Sequence, residues 1–141
     1  LMEGRANGIE MWGSYQATAA WRLSAGFTAI HENLTLKAGS NDLAGPGTVG
    51  KSPAHTAQLR STYAVAPGKE LEIAVRKVAA LESPSVPGYT ALDARFGWRV
   101  SPGLEVSVAG QNLNGAHPEY GPVATRSEMP RSVAVRLAWK I

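Results

Sequence analysis

The sequence predicts an all-β chain, an antiparallel up-and-down meander of about seven strands. Three observations carry that reading. Apolar residues recur at every second position in run after run, the period at which a strand turns one face to a nonpolar medium. The 141 residues include 15 glycines and 9 prolines and are 44% hydrophobic but only 7% aromatic, which suits short strands and turns better than helices. The connections between the runs alternate between short turns and long polar loops.

In the run near 8–16, Ile9, Met11 and Tyr15 share one face. A short break at 17–20 leads into 21–31, the clearest alternation of the chain: Trp21, Leu23, Ala25, Phe27 and Ala29 against Arg22, Ser24, Gly26 and Thr28. Gly26 and the aromatics argue here against an amphipathic helix. Residues 32–53 are polar, hold six glycines or prolines, and read as a loop. In 54–65, Leu59, Tyr63 and Val65 oppose Gln58, Arg60 and Thr62, and a tight turn at 66–69 follows.

The next run, 70–80, sets Leu71, Ile73 and Val75 against Glu72, Ala74 and Arg76. Lys77 falls on the apolar side, so it either snorkels at a rim or a bulge flips the register. After a Pro-rich loop at 81–88 come two runs, 89–99 and 104–112, joined by Ser101, Pro102 and Gly103. Leu92, Ala94, Phe96 and Trp98 alternate with Asp93, Arg95, Gly97 and Arg99, and the second run alternates likewise, so the pair reads as a hairpin. A third long loop, 114–130, precedes the closing run 131–141, with Val133, Val135, Leu137, Trp139 and Ile141 on one face.

Composition narrows the class. There is no cysteine, hence no disulfide framework and no cysteine-ligated metal. The net charge of +3 is spread without a Lys/Arg block, so no nucleic-acid partner is expected. No apolar run is long enough for a membrane-spanning helix, so a membrane reading is a barrel reading. Residues 1–8 contain no apolar core of a signal peptide, which fits a mature chain, a cytosolic chain or a fragment.

The sorting of connections decides between the options. Short turns fall at 17–20, 66–69 and 100–103, and long loops at 32–53, 81–88 and 114–130. Strands of roughly 9–11 residues match the length a tilted strand needs to cross a bilayer. Short turns on one rim and long loops on the other characterise outer-membrane barrels. Residues 1–141 are therefore expected to be one piece of a transmembrane β-barrel, with short turns and C-terminus on the periplasmic side. A soluble β-barrel that binds a small apolar ligand is the alternative.

Several motifs need weighing. Residues 45–52, Gly-Pro-Gly-Thr-Val-Gly-Lys-Ser, fit the phosphate-loop pattern, which makes a nucleotide binder a remote third reading. No buried strand precedes the motif, and Pro53 with an alternating run follows where a helix is needed. His31 and His55 flank the first long loop and have the chance to meet across it, while His117 stands two residues before Glu119. A metal site needs several converging ligands, and loop placement is the expectation for all three. Asp93 and Glu105 are candidates for a carboxylate pair, but Arg95 and Arg99 share their face and a salt-bridged wall is expected instead. Nothing specifies a catalytic residue, an enzyme or a cofactor. Arg22, Arg60, Arg76, Arg95, Arg99 and Arg136 are expected to face a wet interior, where pairing with neighbouring acids is expected ahead of attraction of anions by their field.

One stretch carries a family resemblance. Tyr89, Leu92, Asp93 and Arg95, then Gln111, Asn112 and Leu113, then His117, Pro118, Glu119 and Tyr120, resemble the end of a TonB-dependent outer-membrane receptor. Asn7, Gly8, Ile9 and Glu10 resemble the opening of an upstream strand of the same barrel. The resemblance implies the last six or seven strands of a barrel of roughly 22. It implies a bacterial outer-membrane location, surrounding lipid, the rest of the barrel and its plug domain as partners, and energy from periplasmic TonB through a part not in this chain. The transported ligand would be a ferric siderophore or a similar chelate. Pro118 would fix a turn and Asn112 would supply a local side-chain cap. Two departures stand out: no plug domain or TonB box is present, and the chain ends in Ile141 where an aromatic is usual, Trp139 lying two places earlier.

Overall fold

Alternation of the kind just described has one efficient outcome, a ladder in which every second side chain shares a face and every backbone group finds a partner. A computed structural model describes residues 2–40, 52–119, 121 and 123–140. Its strands are β1 (Met2–Thr18), β2 (Trp21–Leu36), β3 (His55–Ala66), β4 (Lys69–Val78), β5 (Tyr89–Ser101), β6 (Leu104–Gln111), β7 (His117–Pro118), β8 (Glu128–Met129) and β9 (Ser132–Trp139). All but β7 and β8 form one antiparallel sheet in the order β1-β2-β3-β4-β5-β6-β9. The short β7 and β8 pair with each other inside the last long connection, beside a 3-10 turn at Val123–Thr125. No α-helix occurs among the described residues.

The register separates two faces. One row runs Trp21, Tyr63, Leu71, Phe96, Val108 and Val135 across six strands, and the next apolar row runs Tyr15, Leu23, Ser61, Ile73, Ala94, Gly110 and Val133. The alternate rows carry charge: Arg22, Thr62, Glu72 and Arg95 stand in line, as do Ser24, Arg60, Ala74 and Asp93. The apolar face has no protein cover among the described residues. Trp139, Val135, Leu137 and Tyr15 are all more than 60% exposed, and among the described residues only Leu81, Val86 and Ala91 are buried hydrophobics. The chain exposes 10126 Å². A compact folded protein of this mass would expose roughly 7,000 Å².

The turns step regularly. The closing pairs are Thr18↔Trp21, Ala66↔Lys69 and Ser101↔Leu104, each two residues farther along the register than the one before. A stagger of one residue per strand is the shear that tilts strands in a closed barrel. Each short turn follows a one-residue bulge, at Ala17, Val65 and Val100. The second turn residue then accepts a hydrogen bond from the neighbouring strand: Ala20 O from Ala64 N, Gly68 O from Arg99 N, and Gly103 O from Lys140 N. The same bond repeats from hairpin to hairpin and ties the rim together.

Several boundaries differ from the sequence reading. β1 begins at Met2 rather than near 8, and β2 runs on to Leu36 instead of ending at 31. Beyond Gly8↔Ile30, where Ile30 N–H still bonds Ala54 O, the two strands pair with each other alone among the described residues, as a ribbon. Its ladder is held by main-chain bonds and by an exposed Lys37–Glu3 ion pair of 3.5 Å, which require no apolar period. β9 ends at Trp139, and Ile141 lies outside the described residues. The stretch 114–130 is not wholly loop, since it holds β7 and β8. Lys77 keeps its apolar-side parity: it stands opposite Ala57 and Thr90 in an unbroken register, so no bulge flips it.

Candidate functional site

The charged face is the part of the molecule with chemistry to offer. Near the short turns, Arg95 Nη2 donates to Glu105 Oε1 at 2.7 Å, and its Nη1 lies 3.8 Å from Glu70. The guanidinium reaches both by lying over Gly97, where an added Cβ would come within 3.0 Å of it. Arg60 pairs with Glu72 at 3.6 Å. Arg22, Arg76, Arg99 and Arg136 form no ion pair among the described residues, so the six arginines on this parity are only partly neutralised. Asp93 and Glu105 do not form a carboxylate pair. Glu105 belongs to Arg95, whereas Asp93 Oδ1 accepts the backbone N–H of Asn112 at 2.8 Å.

That last bond opens a second cluster near the long loops. Asn112 has left the strand with φ of +53°, a conformation Asn tolerates better than most residues. Its side-chain N–H₂ donates to Pro130 O at 3.2 Å, and its Oδ1 lies 3.1 Å from His117 Nε2. Because Oδ1 can only accept, this contact requires an N–H at His117 Nε2. His117 Nδ1 is buried with no hydrogen-bond partner among the described residues. The imidazole stacks on Tyr89 with ring centres 3.7 Å apart, and Tyr89 OH donates to Glu119 at 3.2 Å. Asn112 is therefore not a local cap. It links two distant parts of the long connection to β5.

The neighbouring residues finish the junction. Leu113 N–H bonds Leu92 O, while the Asn114 amide accepts from Leu92 N–H and donates to Thr90 O, imitating one more peptide of β6 beside β5. The Leu113 side chain folds over Gly110, whose added Cβ would meet it at 2.7 Å. Gln111 accepts a long 3.4 Å hydrogen bond from Ser132 on β9. Pro118 stands in β7 opposite Glu128. Tyr89, Asp93, Asn112, His117 and Glu119 thus form one connected group, and Arg95 belongs to the other cluster.

Beside the second cluster lies an open recess of about 560 Å³, whose lining includes Glu10, Trp12, Gln58, Arg76, Tyr89 and Glu119. Arg76 sits 5.8 Å above the Tyr89 ring. Trp12 is 86% exposed and stands opposite Gly26, on the charged parity rather than the apolar one. The sequence reading passed over it. Strict parity would have found it, since it falls between Glu10 and Ser14. A flat indole, a guanidinium and an amide on one wall can hold a planar or anionic group by stacking and hydrogen bonding.

His31 and His55 do not close a site across the first loop. Both lie on the apolar parity, on adjacent strands, His55 opposite Ala29. No group of three or more metal-binding side chains occurs among the described residues. Residues 45–51 of the phosphate-loop pattern lie outside the described residues; Ser52 leads through Pro53 into β3, not into a helix.

A staggered antiparallel meander with one uncovered apolar face, one charged face, and turns and loops sorted to opposite rims defines the wall of a membrane β-barrel. The particular kind follows from the sequence match. The family described as TonB dependent receptor-like, beta-barrel, matches residues 3–113, more than three quarters of the chain, and the chain belongs to that outer-membrane receptor family. Two solved structures share the fold. The FpvAI–pyocin S2 complex superposes with a TM-score of 0.76 over 98% of this chain at 16% identity, and the copper transporter OprC with 0.74 over 98% at 16%. The chain spans 19% and 24% of those two chains. No curated protein matches the sequence.

Proposed function

We propose that the chain is part of the barrel wall of an outer-membrane receptor that takes up a metal chelate, such as a ferric siderophore, with energy relayed from periplasmic TonB. The apolar face meets lipid. The arginine-bearing face lines the lumen against a plug domain, the short turns and the end of β9 lie on the periplasmic side, and the long loops lie outside. The observation that carries this reading is the division of one sheet into an uncovered apolar face and a face that bears every acid of the sheet strands except Glu3.

Neither the fold nor the identity chooses the cargo. One similar structure is an FpvAI complex and another a copper transporter, at nearly equal TM-scores. The reading places the chelate at the Trp12, Arg76 and Tyr89 recess on the long-loop side, where stacking and positive charge are offered together. The test uses the full-length receptor in vesicles. Trp12→Ala and Arg76→Gln should each weaken binding of a ferric chelate several-fold while leaving the barrel folded. Unchanged binding of ferric chelates, with copper taken up instead, would move the cargo to the second class.

A further inference from the structure

The outward parity of β4 reads Lys69, Leu71, Ile73, Val75, Lys77. Two cations eight residues apart, about 26 Å at 3.3 Å per residue, bracket the apolar Leu71, Ile73 and Val75. The Lys69 end is aromatic: its ammonium lies 5.1 Å over the Trp98 ring, and Trp21, Tyr63 and Trp139 share that end of the same face. The Lys77 end is different. There the register sets three basic side chains on a diagonal across three neighbouring strands. His55 stands opposite Ala29, with His31 two residues on along β2. Lys77 stands opposite Ala57, with His55 two residues on along β3.

All three are exposed, and none forms an ion pair among the described residues. The acids of these strands do not serve them. Glu10, Glu32, Glu70 and Glu72 lie on the opposite parity, and Glu3 is engaged by Lys37 at 3.5 Å. A cation on a face that meets hydrocarbon is costly unless it reaches an anion at the interface. Stems of lysine length reach outward along such a surface.

We propose that His31, His55 and Lys77 form a binding site for the phosphate of an anionic lipid headgroup at the long-loop rim. The inference rests on the reading that the apolar face meets lipid, and not on the identity of the cargo. Lys77 supplies the charge, and the two imidazoles supply N–H donors on a line that runs with the tilt of the sheet.

The full-length receptor in nonionic detergent is titrated with phosphatidic acid, phosphatidylcholine and inorganic phosphate, and bound lipid is counted by native mass spectrometry. Phosphatidic acid should bind in preference to phosphatidylcholine. Lys77→Gln should lower its affinity about fivefold, and adding His31→Gln and His55→Gln should lower it further. Arg136→Gln on the opposite face should leave lipid binding unchanged. Retained binding in the triple variant would overturn the site, as would a loss caused by Arg136→Gln. Displacement of the lipid by millimolar inorganic phosphate would reduce the site to a general anion patch and overturn the lipid assignment. Chelate uptake measured on the same variants separates the two readings: lipid binding lost with uptake intact supports this site whatever the cargo proves to be.

Discussion

Asp93 Oδ1 lies 2.8 Å from the backbone nitrogen of Asn112, nineteen positions later in the chain. The bond catches the main chain where it turns out of β6 with positive φ, and so fixes the start of the longest connection to the wall of β5. Replacing Asp93 with Ala leaves a part-buried N–H without its acceptor, which costs about 1–3 kcal/mol. Asp93→Asn keeps an oxygen in place and should cost less. The readout is limited proteolysis between 112 and 131 in the folded receptor, because cleavage follows how often the segment opens. Ala should be cut clearly faster than Asn, and Asn little faster than the parent.

The parity of the strands was legible in the sequence because two different media face the two sides, so the period of two survives wherever both media are present. Trp21 to Ala29 and Leu92 to Trp98 show it. Where the ribbon of β1 and β2 leaves the rest of the sheet, no medium enforces a period. Gly4, Arg5 and Ala6 therefore gave no strand signal, although they pair fully. The junction after Gln111 was legible only as a motif. Its working parts are tertiary: the Asn114 amide that imitates a peptide beside β5, and the tie of Asn112 to Pro130, join residues that no local pattern relates. Lys77 left two readings open, and only the unbroken register between β3 and β4 chose one.

Two glycines should respond differently to the same change. A Cβ at Gly88 would stand 2.9 Å from both Ala80 N and Val78 O, backbone atoms that cannot yield. A Cβ at Gly110 would meet the far end of the Leu113 side chain, which can change rotamer. Gly88→Ala should therefore cost about 1–3 kcal/mol by overpacking, and Gly110→Ala distinctly less. The comparison is the shift in urea midpoint of the reconstituted receptor at constant slope.

Arg95 holds two carboxylates apart from one another's field. In Arg95→Met, Glu70 and Glu105 remain without their shared cation. Because these side chains are roughly one-third to one-half exposed, solvent screens the pair and the loss should stay below about 1 kcal/mol. The loss should shrink in 1 M salt, where the screening length is about 3 Å. Glu105→Gln in the same background should recover part of it by removing the repulsion. A double-mutant cycle on thermal unfolding measures the coupling.

The proposed membrane placement makes a prediction about the four tryptophans that does not depend on any ligand. Trp21, Trp98 and Trp139 share the apolar parity, while Trp12 stands on the charged one. Trp21 Nε1 donates to Ser61 Oγ at 2.9 Å, so the polar atoms of that pair satisfy each other on an otherwise apolar face. Indoles near a rim favour the boundary between lipid and water, which keeps all three within reach of a quencher carried on acyl chains. Trp12 instead faces the recess with Gln58 and Arg76, where only a dissolved quencher arrives. The contribution of each indole is the difference in emission between the parent receptor and the matching Trp→Phe variant. Brominated lipid should quench the contributions of Trp21, Trp98 and Trp139 and spare that of Trp12, and aqueous iodide should do the reverse. If Trp12 answered to the brominated lipid and the other three to iodide alone, the two faces would be assigned to the wrong media, and the lumen-facing arginines with them.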